Sequence, residues 1–172
     1  MQNSSIINFT LIYNKHKDPL FNYVLKIVRS KMFAEDVVHD VIVKLYDNLE
    51  RIRDLDRIEV WIFTTARNEI YSHYRKKINK FDSDFEQYQE PLSRNSVADE
   101  WDEKELISFV EQALNSMDPA QSEVFYLKEY SDLSYKEIAE IMNITEDLVK
   151  SRMFKVRQKL RKAVTNLEED KI

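Results

Sequence analysis

LSYKEIAEIMNITEDLVKSRMFKVRQKLRKAV, residues 133–164, reads as two helices hinged at one residue. Ser134 with Glu137 three positions on is a capping box, which starts a helix by satisfying its first backbone N–H groups reciprocally. Ala139 is followed four residues later by Asn143. That is the spacing of a helix-turn-helix: a small residue where two helices cross, then a residue that tolerates left-handed geometry. Glycine suits that turn best and Asn next best. Ile138, Met142, Ile144 and Val149 are expected to hold the two helices together. Thr145 opens the second helix, with Glu146 and Asp147 at its positive end.

At ~100° per residue, Val149, Met153, Val156, Leu160 and Ala163 of that last helix share one apolar stripe, which predicts the core-facing side. Opposite lie Ser151, Phe154, Lys155, Gln158 and Lys162, with Lys150, Arg157 and Arg161 on the flank. From Lys150 to Lys162 the cations Lys150, Arg152, Lys155, Arg157, Lys159, Arg161 and Lys162 are interrupted by no acid, although the whole chain carries a net charge of −5. A solvated surface is the ordinary meaning of a charge run. The turn spacing behind it points instead to duplex DNA: cations for phosphates, polar groups for base edges, and a ring for a thymine methyl. Lys150, Ser151, Arg152, Phe154, Lys155 and Gln158 are the candidate contacts.

The 172 residues suffice for one ordinary domain or two small ones, and 43% apolar with 33% charged content places the chain among folded proteins. Cysteine is absent, which excludes disulfides and thiolate metal sites. Glycine is absent too, which excludes phosphate-cradling loops and argues against hairpin-rich sheets. An all-α protein can dispense with glycine if Asn or Asp takes the left-handed turns. No apolar run approaches the ~20 residues of a membrane span. MQNSSIINFT, residues 1–10, lacks the basic and apolar segments of a secretory signal. A cytoplasmic protein without membrane insertion is expected.

Phe9, Ile12 and Tyr13, then Leu20, Val24, Ile27 and Val28, suggest two short helices split at Asp18-Pro19, with Asp18 as the cap of the second. Ala34 to about Glu50 forms another, with Ala34, Val38, Val41, Ile42, Leu45 and Leu49 along one face. Ile58 to Lys77 follows, with Ile62, Phe63, Ala66, Ile70 and Tyr74 on its apolar side. Asn79 to Asp102 has no sustained period, contains Pro91 and is mainly acidic, as a linker would be. Glu103 to Ser116 is helical, and Asp118 with Pro119 starts the next helix. Two small helical domains are therefore expected at 1–79 and 103–172, joined by an acidic linker at 80–102.

Opposite the apolar side of the Ile58–Lys77 helix stand Trp61, Thr64, Asn68, Tyr71, Ser72 and Arg75. Aromatics interleaved with amide, hydroxyl and basic groups suit unstacked bases, since any base offers a π-face. Opposite the stripe of the Ala34–Glu50 helix sit Asp36, Asp40, Val43 and Asp47, an acidic surface suited to a basic protein partner.

AEDVVHDVIVKLYDNLE (34–50), WIFTTARNEIYSHYRKK (61–77) and LNSMDPAQSEVFYLKEYSDLSYKEIAEIMNITEDLVKSRMFKVRQKLRKAV (114–164) resemble, in order, segments of the extracytoplasmic-function, group 4, sigma factors of bacterial RNA polymerase. The resemblance spans nearly the whole chain and implies the sigma-70 region 2 and region 4 domains. It implies that Asp36, Asp40 and Val43 contact the β′ clamp helices of the polymerase core, with the β flap as a further partner. It implies that Asn68, with Trp61, Arg67, Ser72 and Arg75, reads the −10 element, the Arg53–Ile58 loop helping to hold a flipped base. Lys150, Ser151, Phe154 and Lys155 would read the −35 element, and the linker would thread toward the active channel. It implies regulation by an anti-sigma factor, and no catalytic residue, cofactor or metal, because RNA synthesis belongs to the polymerase. Departures from the family pattern are His39-Asp40 for Gln-Glu, Leu148 for threonine and Asn143 for glycine.

Two other readings use the same residues. Asp36 with His39, and Glu69 with His73, put carboxylate and imidazole on neighbouring helical turns, as in di-iron bundles. A stand-alone helix-turn-helix regulator would use the last helix without polymerase. Specific RNA synthesis with purified core enzyme separates the sigma factor from both.

Overall fold

The computed structural model describes residues 2–52, 54–80 and 101–169, with side chains over 6–52, 54–76 and 106–165. It runs α1 (Gln2–Val28), α2 (Lys31–Asn48), a 3₁₀ turn (Leu55–Arg57), α3 (Ile58–Lys80), α4 (Trp101–Asn115), α5 (Pro119–Tyr130), α6 (Tyr135–Met142) and α7 (Glu146–Glu169). The described residues contain no strand, so the all-α expectation holds. The end of α3 takes in Lys80 and the start of α4 takes in Trp101 and Asp102. The rest of the expected linker lies outside the described residues.

α1, α2 and α3 pack on one another, while α7 packs against α4, α5 and α6. The expected break at Asp18-Pro19 does not occur: α1 is one helix with Pro19 inside it. An interior proline removes one hydrogen bond and costs about 3 kcal/mol locally. Packing on both sides of it overrides that cost. Leu20, Tyr23 and Val24 are fully buried just after the proline, and Phe9 and Ile12 pack on the same core before it.

In α2 the buried face is Ala34, Val37, Val41 and Leu45. Val38 and Ile42, expected inside, are half-buried at its margin. The Ser30 hydroxyl caps this helix by accepting the Phe33 N–H at 3.4 Å. In α3, Ile62, Phe63, Ala66 and Ile70 are fully buried as the periodicity predicts, and Tyr74 is half-buried.

The second half follows its local signals closely. Asp118 caps α5, its carboxylate accepting the Ala120 N–H at 2.8 Å, with Pro119 in the first turn. The α6 capping box is complete: Ser134 Oγ accepts the Glu137 N–H at 3.3 Å, and Glu137 accepts the Ser134 N–H at 2.7 Å. Asn143 ends α6 in the left-handed region at φ 54°. Its N–H donates to Glu140 O at 3.1 Å, and the Ile144 N–H donates to Ala139 O at 2.9 Å, which turns the chain into α7. Arg29, between α1 and α2, is the other non-glycine residue at positive φ among the described residues, also at 54°. The left-handed turns thus fall to one Asn and one Arg rather than to Asn or Asp alone.

Hydrogen bonds from the Ser134 hydroxyl and N–H hold the Glu137 carboxyl below the usual carboxylate range. A lowered folded-state pKa stabilises above the unfolded value, and that gain is lost as pH falls through the folded one. Glu137→Ala should therefore destabilise the chain by ~1 kcal/mol at neutral pH, the usual worth of a cap. Urea unfolding at a series of pH values should show the deficit shrinking in acid; a pH-independent deficit would mean that Glu137 acts by packing alone.

Candidate nucleic-acid interface

α7 is carried on a buried stripe of Val149, Met153 and Val156, with Leu160 and Ala163 half-buried farther along. This leaves the opposite face to solvent. Phe154 is 61% exposed, a large apolar ring with no core to fill, and Ser151, Lys155 and Gln158 are exposed around it. Arg152 is half-buried on the stripe side and stands apart from that face. Lys150 is exposed but already paired, 2.9 Å from Glu146 and 3.9 Å from Asp147. The Glu146 hydrogen bond and charge raise its ammonium pKa. Arg157 donates to the Tyr135 hydroxyl at 3.2 Å and ties α7 to α6. Ser151, Phe154, Lys155, Gln158 and Lys162 face solvent on that side, and among the described residues none of them has such a tie.

The α3 candidates divide. Asn68 and Arg75 are exposed, and Ser72 is half-buried beside them. Trp61 packs on the core. Arg67 and Tyr71 turn toward α5, where Glu123 is 1% exposed. Arg67 Nε donates to Glu123 Oε1 at 2.9 Å, the Tyr71 hydroxyl donates to Oε2 at 3.1 Å, and the Tyr23 hydroxyl donates to Oε1 at 3.0 Å. The Arg67 guanidinium also lies over the Tyr71 ring, 4.6 Å from its centre. Burial, then the Glu123 charge, push the Tyr71 hydroxyl up to about 12 and the Tyr23 hydroxyl well above its ordinary value. Burial works against the Arg67 cation, but the Glu123 charge and hydrogen bond outweigh it and leave its pKa raised. Tyr71 is thus partly exposed, as its place opposite the apolar side of α3 suggests, while its hydroxyl is engaged by the other half of the chain.

Further polar contacts line the same seam. Lys26 binds Glu111 at 2.7 Å, Arg29 donates to Asn115 at 2.6 Å, Arg57 pairs with Glu140, and the Asp132 N–H donates to Glu59 at 3.3 Å. His16 is buried beside Glu59 at 4.0 Å, and burial lowers its pKa. The two halves are packed together, α1 on α5 and α3 on α6.

On the far side, Asp36 and Asp40 of α2 are exposed, as is Val43. The two aspartates line a groove of 310 Å³ with Phe33, Val37, His39, Glu69 and His73. This brings together the four residues of the di-iron reading. Glu69 is paired with Lys44, however, His73 stacks against Phe33 at 4.1 Å, and no three of these groups converge as metal ligands among the described residues.

Glu123 was not among the residues nominated from sequence, although a signal exists. Ala120, Glu123, Val124 and Leu127 share the core register of α5, and an acid in that register needs buried donors.

Comparison with known proteins agrees with this geometry. Residues 12–79 match the family described as Sigma-70 region 2, and residues 110–160 match Sigma-70, region 4. The chain is 26% identical over 170 residues to the RNA polymerase sigma factor YlaC of Bacillus subtilis, covering 92% of this chain and 93% of that one. It is 25% identical over 150 residues to the ECF RNA polymerase sigma factor SigM of the same organism, covering 87% and 91%. Its fold is similar to that of the sigma factor RpoE of Bartonella quintana, solved with the anti-sigma factor NepR, at a TM-score of 0.71 and 23% identity over 92% of this chain and 97% of that one. It is also similar to CnrH in complex with the cytosolic domain of CnrY, at a TM-score of 0.63 and 20% identity over 92% and 88%. With both halves matched in order, a helix-turn-helix presenting an open basic face, and a second helical unit ahead of it, the chain belongs to the sigma-70 family as an extracytoplasmic-function sigma factor, which confers promoter recognition on RNA polymerase.

Proposed function

We propose that the two halves divide promoter recognition, with the −35 element read by α7 and the −10 element by α3. What carries the α7 assignment is the exposed face built by Ser151, Phe154, Lys155 and Gln158 behind the left-handed turn at Asn143. In a major groove, Lys155 and Gln158 reach base edges, Phe154 meets a thymine methyl, and Lys150 exchanges its Glu146 partner for a phosphate. Arg152 binds the backbone at the edge of that footprint. On α3, exposed Asn68 holds an unpaired base by its amide, and Ser72 and Arg75 follow the strand. Trp61 supports that face from the core, and Arg67 joins it once its partner in α5 is exchanged. The residues 1–79 and 103–172 act as the two recognition units, with 80–102 as their tether.

Asp36, Asp40 and Val43 form the docking surface for the β′ clamp helices. An acidic face with one exposed aliphatic suits a basic helical partner, and the exposure of all three supports it. The β flap takes the region 4 half. The protein works in the cytoplasm beside its polymerase, contributes no catalytic group, and answers to an anti-sigma factor; the fold neighbour RpoE, solved in complex with the anti-sigma factor NepR, supports that partner.

Lys155→Ala and Phe154→Ala should each weaken −35 recognition by ~1–3 kcal/mol while core binding persists. Holoenzyme binding to intact and scrambled −35 duplexes checks this, and equal loss on both would make the residues non-specific. Asn68→Ala should impair promoter opening more than polymerase binding. Permanganate reactivity around −10 in the reconstituted holoenzyme is the readout, and unchanged reactivity would remove Asn68 from that role.

A further inference from the structure

The α3 face that we assign to the separated promoter strand is only partly open, and what closes it is a carboxylate. Arg67 and Tyr71 offer Glu123 a guanidinium N–H and a phenolic O–H at 2.9 and 3.1 Å. A planar guanidinium beside a hydroxyl donor is equally a seat for a phosphate oxygen. Tyr23 closes the seat from α1. The donors belong to α1 and α3, whereas the acceptor belongs to α5, so the carboxylate enters only when the halves meet.

We infer that Glu123 is an internal competitor for nucleic acid: it fills an anion seat made by Arg67 and Tyr71, latches the halves shut, and leaves when a backbone phosphate of single-stranded DNA takes its place. The inference rests on the −10 assignment of α3, and the latch itself can be read without DNA. The other polar seam contacts are compatible with release, and the buried apolar residues of both halves, which form one continuous cluster, are what opening has to part. Lys26–Glu111 and Arg57–Glu140 keep partly exposed side chains that rehydrate on opening. The α7 face lies outside the seam, so the latch withholds one DNA-reading surface and leaves the other exposed. A ligand that needs the open state binds more weakly by the fraction of molecules already open. Removing the latch restores that factor.

The cysteine-free chain permits the test directly. Dyes on Glu50→Cys and Lys136→Cys, one exposed position in each half, report opening by energy transfer in the full-length protein. Glu123→Gln keeps the shape of the side chain and removes its charge. Arg67→Gln breaks the same pair from the other side, and Tyr23→Phe removes one donor as a milder variant, with circular dichroism confirming that each remains helical. Glu123→Gln and Arg67→Gln should both lower transfer, and Tyr23→Phe less so. Only Glu123→Gln should bind a random-sequence fluorescent single-stranded DNA more tightly, by about tenfold, within the range of ordinary site-to-site coupling. The gain should vanish in the Glu123→Gln/Arg67→Gln double variant. Unchanged transfer in all three helical variants would overturn the latch while leaving the −10 assignment intact. Equal DNA gains in Glu123→Gln and Arg67→Gln would overturn the seat. Opening without any gain, together with normal promoter opening by Arg67→Ala holoenzyme, would overturn the −10 assignment and the seat.

Discussion

The Glu123 carboxylate is almost wholly withdrawn from water, and that obligation organises the molecule around it. A buried ionised acid requires charge and hydrogen-bond donors, and α5 supplies none for it. Tyr23 from α1 and Arg67 and Tyr71 from α3 supply them, which fixes how the second half rests on the first. The same physics limits how tightly it is held. Desolvating a carboxylate and a guanidinium offsets most of their mutual attraction, so a buried pair is a strong constraint on geometry and a weak source of net stability. Such a seam specifies one closed arrangement while remaining within reach of competition by other anions. The seam is not polar alone, since the buried apolar residues of both halves form one continuous cluster; the Glu123 site is the part of it open to such competition.

Backbone geometry imposes a second constraint. With no glycine anywhere in the chain, each reversal must come from a residue that tolerates positive φ or from a longer connection. Asn143 meets the need in the helix-turn-helix, where its N–H and that of Ile144 satisfy carbonyls at the end of α6. Arg29 meets it between α1 and α2 at a steric cost of ~1–2 kcal/mol, since Arg has no short side chain to bond locally. That cost is offset by context: Arg29 reaches Asn115 across the seam. The residue that turns the chain in the first half thus also binds the second.

Which features were legible from sequence follows from the range of the forces involved. The region between Asp118 and Val164 was read almost correctly because its signals are local: a cap, a capping box, a left-handed turn and a helical period. Asp18-Pro19 was misread because a proline rule is also local, whereas the helix persists through side chains packed on both sides of the break. Tyr71 lies opposite the apolar side of α3, so the helical period places it in solvent, and Arg67 enters only through the family resemblance. Only the apposition of α5 engages them, and no period within α3 encodes that. The acid in the core register of α5 was the one local trace of the seam. Phe154 was legible for the opposite reason: it stays 61% exposed among the described residues, as the local period implies.

Charge opposes general DNA binding by the free chain despite the exposed surface of α7. The net charge of −5 sets a repulsive background for a polyanion, and the cations of α7 are a local exception to it. Part of that exception is already spent within the helix, since Lys150 is paired with Glu146 and Asp147, while Arg157 keeps its charge but is positioned by the Tyr135 hydroxyl of α6. Non-specific affinity for DNA grows with the number of phosphates neutralised through counterion release. The cations left exposed on α7, Lys159, Arg161 and Lys162 beside Lys155, form one short run, and the Arg67 cation on α3 is cancelled by Glu123 while the halves are closed. On the proposed assignment affinity has to be assembled: polymerase docking would supply proximity, opening would free Arg67, and the two faces would then engage one promoter from a single tethered chain. Weak sites joined in this way gain from effective concentration what each lacks alone, and that gain disappears whenever the seam prevents both from engaging together.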